Sequence, residues 1–211
     1  MYKDLIYLKE SYNKRQFMIK ARLKHFKEIY NQEEKIIFSE LCFCLLTPQS
    51  KAKLCDKAIQ NLIKTNFLFN GSFDDIKSML IGVRFNNNKT KYLIEARALF
   101  KNIYIKEKLK QFNDPYKLRE WLVSNIKGMA YKEASHFMRN IGIYENVTIL
   151  DRHILKNLVK HNVISETPKT LTKNIYFEIE NKMKEFSKHL NIPIEELDLL
   201  FWSEETGEVF K

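Results

Sequence analysis

The 211 residues are enough to bury a sizeable core as one domain or two small subdomains, and no apolar run approaches the ~20 residues of a membrane span. Five glycines and four prolines are few against an average near ~12% combined, so long helices with short connections are expected. Thirty-six Lys+Arg against 26 Asp+Glu leave a formal charge of +10, a balance suited to a polyanion such as nucleic acid.

Leu5, Leu8, Tyr12, Ile19, Leu23, Phe26 and Tyr30 recur at helical spacings and predict one amphipathic helix over about 3–31. A second apolar helix over 33–46 stops at Thr47-Pro48, and Ser50 is read as the cap of a third. Ser72 with Asp75 opens a short helix ending at Gly82. Asn86-Asn87-Asn88 reads as a polar turn before a helix over 89–104. Asp114-Pro115 marks a start for 116–126, Gly142 a stop after 141, and Asp151 a start for a helix to 159. Thr170 and Thr172 precede a helix to about Leu190, and Pro193 begins the last one, through Trp202. Strict alternation persists nowhere, so the expected fold class is all-α, with no repeats or linkers.

The chemistry concentrates between 116 and 141, where two helices flank Ile126-Lys127-Gly128-Met129-Ala130. A turn this tight reads either as an ordinary helical turn or as a helix-hairpin-helix, which aims backbone N–H groups and a helix N-terminus at a phosphate. Lys127, Gly128 and Ala130 are its candidate DNA-binding residues. The usual G-x-G is here Gly128-Met129-Ala130, and an alanine held at positive φ would cost free energy.

Lys132 lies on the second hairpin helix, and Asp151 follows 19 residues later. Leu45 to Ala52, Lys127-Gly128, Tyr131 to Phe137, Leu150 to Leu155 and Phe201 to Lys211 resemble, in order, the signatures of the type-2 (archaeal/bacterial) 8-oxoguanine DNA glycosylase/AP lyases, in the helix-hairpin-helix glycosylase superfamily. That resemblance implies two helical subdomains flanking a DNA-binding cleft. It makes residues 1–211 one glycosylase domain and Lys132 and Asp151 the catalytic pair. A lysine attacks the sugar C1′ and holds it as a Schiff base only when its neutral amine is accessible, which burial or nearby cations favour. Lys127, Arg139 and Arg152 are the nearby cations legible in the sequence. Asp151 also has a plain structural reading as the cap of the helix it precedes.

Chemistry on a base requires extruding it from the duplex into a pocket. Trp202 and Phe85 are candidate stacking faces, each equally readable as a core aromatic; His136, one turn after Lys132, lines the pocket or serves the structure. The resemblance implies that Lys211 contacts the damaged base, its carboxylate accepting the N7 proton that separates 8-oxoguanine from guanine. Gln49 is a weaker candidate for filling the gap left by a flipped base.

Cys42, Cys44 and Cys55 form an odd set without a C-x-x-C pair, which argues against disulfides and structural zinc and for a reducing cytosol. They read as core residues, and without later cysteines no iron–sulfur cluster is possible. Lys3 and Asp4 after Met1 give no expectation of a secretory leader. The expectation is therefore a cytoplasmic, nucleoid-associated monomer without cofactor or metal. It acts on double-stranded DNA containing 8-oxoguanine, excising the base and cleaving the strand by β-elimination, with no membrane partner. The alternative is a helix-hairpin-helix protein that binds DNA without chemistry.

Overall fold

The computed structural model describes residues 1–101 and 104–211, and every regular element among them is helical. α1 (Leu5–Ile29) buries Leu8, Tyr12, Ile19, Leu23 and Phe26 along one stripe, as their spacing predicts. α2 (Glu34–Leu46) is different: every residue from Ile37 to Leu46 is buried, Cys42 and Cys44 included. A helix apolar on all sides must lie inside the fold. Accordingly α3 (Ala52–Lys64), α6 (Asn86–Lys101), α7 (Ile105–Lys110) and α9 (Tyr131–Asn140) all pack against α2.

Two groups of helices result. α2, α3, α6 and α7, with the short α4 (Phe67–Asn70) and α5 (Phe73–Met79), form one. The other comprises α8 (Pro115–Asn125), α9, α10 (Arg152–Lys160), α11 (Lys173–Leu190), α12 (Ile194–Thr206) and α1, which lies along α12 and α9. They meet where α2 faces α9, and the candidate site lies on that seam.

Helix boundaries follow local chemistry in most places. Asp114 accepts from the Tyr116 N–H at 2.8 Å ahead of Pro115 at the first helical position. Ser72 and Asp75 close a reciprocal capping box, and Thr172 caps α11. Three expectations fail. Ser50 does not cap α3; that position is Lys51, without a side-chain cap, because the Ser50 hydroxyl accepts instead from the Arg84 N–H and the Lys89 ammonium. Asn86-Asn87-Asn88 is not a turn but the first turn of α6, since the chain has already reversed at Arg84-Phe85. The helix expected to reach Tyr104 is described only to Lys101, residues 102–103 lying outside the described residues; Tyr104 is already the extended residue before α7. α4 and α7, too short to show a period, had no counterpart in the sequence reading.

Candidate active site

The hairpin between α8 and α9 takes its sharp turn at Gly128, φ +84°, a backbone that L side chains rarely adopt. An added Cβ there would also come within 2.2 Å of the Tyr92 ring, so space as well as conformation requires glycine. Ala130 needs no such freedom: with φ −101° and ψ −177° it is extended, and the missing second glycine costs nothing. Ala130 has no side-chain acceptor, and Glu133 answers only the Ala130 N–H, at 3.3 Å. The first-turn N–H groups of α9 thus stay available, which is the condition for binding an anion at a helix N-terminus. Lys127 is exposed beside them in an ion pair with Glu95 at 3.2 Å, too solvated to hold it there against a phosphate.

Lys132, second residue of α9, turns from solvent toward the seam. Its side chain is 21% exposed, and its ammonium lies 3.3 Å from Thr47 Oγ1 and 3.3 Å from Glu133 Oε1. The Thr47 hydroxyl donates to the Cys44 carbonyl at 2.9 Å, leaving its oxygen to accept from Lys132. The cations expected around this lysine are engaged elsewhere: Arg139 pairs with Asp198 at 2.6 Å, Arg152 lies against the His153 ring, and Lys127 holds Glu95. Lys89 supplies the neighbouring charge instead, and the sequence reading missed it because it comes from α6.

Asp151 caps α10, its Oδ1 accepting from the N–H groups of His153 and Ile154 at 2.8 and 2.9 Å. Oδ2 is not used in that cap, so capping and a chemical role are compatible. Among the described residues no ion pair joins Asp151 to Lys132. What relates their helices is a buried cluster. Arg119, with a fully buried side chain, grips Glu180 at 2.7 and 2.8 Å and donates to Ser135 of α9 at 3.1 Å. Glu180 accepts from the Thr148 N–H at 2.9 Å, and Tyr176 donates to the Thr148 carbonyl at 2.6 Å, three residues before Asp151. Asp198 lies near enough to feel the Asp151 charge. Burial, chiefly, and that charge push its carboxyl up to about 6 despite Arg139.

The facing wall carries two left-handed residues that are not glycine. Gln49 has φ +53° and is exposed; Phe85 has φ +58° and is 55% exposed, with the Arg84 guanidinium over its ring. An aromatic this exposed, held on left-handed backbone, is not a packing residue, so the core reading of Phe85 fails. Trp202 is half-buried and lies 6.2 Å from the Phe210 ring, likewise outside the core that its neighbour Phe201 joins. His136 is buried, edge-on to Phe43, and neither ring nitrogen has a hydrogen-bond partner. Burial first, then the charges of Arg139, Lys132 and Lys211, hold it well below the usual histidine range. The Lys211 backbone works against that shift without completing a hydrogen bond.

Lys211 is tied down rather than frayed. Its ammonium bridges Glu40 at 2.9 Å and Asp56 at 2.7 Å and lies 4.5 Å above the Phe43 ring. Burial lowers its proton affinity, but the two carboxylates outweigh that and leave it raised. Glu40 also accepts from Asn140 at 3.1 Å, so the last residue is fastened to α2, α3 and, through Asn140, α9. Glu40 and Asp56 carried no signal in the sequence, two carboxylates among 26.

An all-helical basic protein with a hairpin open to phosphate and a half-buried amine beside it fits the helix-hairpin-helix class of DNA-acting proteins. The family model described as 8-oxoguanine DNA glycosylase matches residues 19–192. A relative from Fusobacterium nucleatum named 8-oxoguanine DNA glycosylase/AP lyase is 51% identical over 196 residues, 91% of this chain and 90% of its own length. One of the same name from Methanocaldococcus jannaschii is 41% identical over 92% of each chain. The crystal structure of the Methanocaldococcus jannaschii glycosylase/lyase in complex with a 15mer DNA containing 8-oxoguanine superposes with a TM-score of 0.88 at 34% identity. It covers 97% of this chain and 99% of that one. The chain belongs to the 8-oxoguanine DNA glycosylase family.

Proposed function

We propose that this protein excises 8-oxoguanine from double-stranded DNA and then cuts the strand, with Lys132 as the nucleophile. The observation that carries the assignment is the place of Lys132: at the head of the hairpin helix, on the seam, with its ammonium against Thr47 of the opposite group. The hairpin N–H groups, with Lys127 and Gly128, hold a phosphate, which brings the sugar of an extruded nucleotide to the seam. The neutral amine bonds to C1′ as the bond from C1′ to the base breaks and the base leaves with a proton. Opening of the sugar gives the Schiff base, and loss of a C2′ proton expels the 3′-phosphate. Asp151 supplies a fixed negative charge for the positive charge that develops on the sugar.

Phe85 and Trp202 offer faces on which the extruded base stacks, while His136 and Lys211 line its edge. Gln49, exposed on its strained turn, fills the gap in the duplex. A hairpin that merely bound phosphate would give no reason to bury Lys132 behind it. The protein works as a monomer, associated with the nucleoid.

The test is a set of duplexes differing only in guanine or 8-oxoguanine, with each opposite base, incubated with and without borohydride. Selective excision and a covalent adduct are the expected results. Excision without an adduct, or an adduct that survives Lys132→Gln, overturns the assignment of the amine.

A further inference from the structure

Lys89 is buried, only 3% exposed, yet it is a lysine in a chain where nearly all others reach water. Its ammonium donates to the Leu46 carbonyl at 2.6 Å, the Pro48 carbonyl at 2.7 Å and the Ser50 hydroxyl at 3.0 Å. Those acceptors bracket Thr47 and Gln49. The backbone N–H of the same residue donates to the Phe85 carbonyl at 3.0 Å, and the Ser50 hydroxyl accepts from the Arg84 N–H at 3.1 Å. One residue thus joins the two turns that hold Gln49 and Phe85 in left-handed backbone, and one of these turns presents Thr47 to Lys132.

Desolvating an ammonium is expensive, and three good acceptors are what make it tolerable. Burial pushes Lys89 down to about 8, with the nearby Cys55 thiol and Glu133 opposing and the charges of Lys132 and Arg84 reinforcing. A buried aliphatic residue would fill this space at lower cost but would leave the carbonyls of Leu46 and Pro48 unanswered, the Gln49 turn free to relax and its link through Ser50 to the Phe85 turn weakened. Non-glycine residues keep such backbone only where their surroundings over-determine it.

We propose that Lys89 is a positioning residue for base extrusion: its ammonium and its N–H brace the Gln49 and Phe85 turns in register with each other and with Lys132. The inference rests on the proposed excision of 8-oxoguanine. It separates two steps, because cutting a strand at a preformed abasic site needs Lys132 but no damaged base to be turned out against stacking.

Lys89→Met keeps the stem and the backbone N–H to Phe85 and removes the ammonium donors to the Gln49 turn; Ser50→Ala removes the acceptor shared by the two turns. Both are compared with the unaltered protein in single-turnover excision from 8-oxoguanine duplex, in cleavage of preformed abasic duplex, and in the fluorescence of 2-aminopurine placed beside the lesion. A misplaced element near the reacting atoms costs about 100-fold, and we expect that loss of excision for Lys89→Met with abasic cleavage much less affected and the extrusion signal diminished. Ser50→Ala, lacking one accepted bond per turn, should lose about 10-fold in the same pattern. If Lys89→Met fails to fold, Ser50→Ala decides alone. Normal excision by a folded variant, or equal losses in both reactions with an unchanged extrusion signal, overturns the proposal. Failure of the unaltered protein to excise overturns the functional reading instead.

Discussion

On the hairpin side the helix starts and the turn are set by neighbours in the chain: Asp114 caps α8 through Tyr116, Asp151 caps α10 through His153 and Ile154, and Gly128 takes the positive φ, while the buried Arg119–Glu180 pair ties α8 to α11. The facing side holds Gln49 and Phe85 in strained backbone through Lys89, whose bonds to the first turn span 39 to 43 residues. In the proposed function the hairpin turn meets the constant part of DNA, a phosphate, and can be locally built. In the same reading Gln49 and Phe85 meet the duplex gap and the extruded base, and their left-handed backbone is held by the tertiary fold. Catalytic geometry therefore depends on two kinds of support that respond differently to mutation.

The largest effect that would break this contrast is at the amine itself. Lys132→Gln should reduce trapping and strand cleavage to background while duplex binding, read by fluorescence anisotropy, persists. Asp151→Asn comes next, because asparagine keeps an oxygen for the cap and loses only the charge. Excision should fall by about 10²-fold or more, while the melting temperature stays within a few degrees. An equal loss of stability would mean that Asp151 is only a cap.

Arg119→Met strips the partner from a buried carboxylate, and removing one member of such a pair costs about 3–5 kcal/mol. Denaturant unfolding should register it, and binding should weaken only as far as the fold does. Gly128→Ala sharpens the comparison from the other direction. Its positive φ and the Tyr92 ring predict a loss of about 1–2 kcal/mol confined to the hairpin, with weaker duplex binding as the readout. The smallest effect concerns pH. The folded Asp198 carboxyl, at about 6, lies above its unfolded value, so the folded state binds the proton more tightly. This group's contribution is present below about pH 4 and is lost as pH rises through 6; Asp198→Asn should flatten that segment of a melting-temperature profile.

Legibility in the sequence followed the same division. The caps at Ser72, Asp114, Asp151 and Thr172 and the glycine of the hairpin are all local, and each is found where its neighbours in the chain predict. Ser50 failed as a cap for the opposite reason: its hydroxyl had a better partner across the fold, in Arg84 and Lys89. Nothing in the composition distinguishes Lys89 among 36 basic residues, nor Glu40 and Asp56 among the acidic ones, because burial and pairing are properties of packing.

By itself the sequence determined an all-helical, basic protein, the hairpin with its amine, and the family. Each of these rests on periodicity, short-range hydrogen bonding or a contiguous motif. Only the tertiary structure decided that Lys132 faces Thr47, that Lys211 is anchored by two carboxylates, and that Gln49 and Phe85 are held in strain. Those arrangements bring together residues distant in the chain, and their stability comes from desolvated bonds that exist only once the helices have packed around α2.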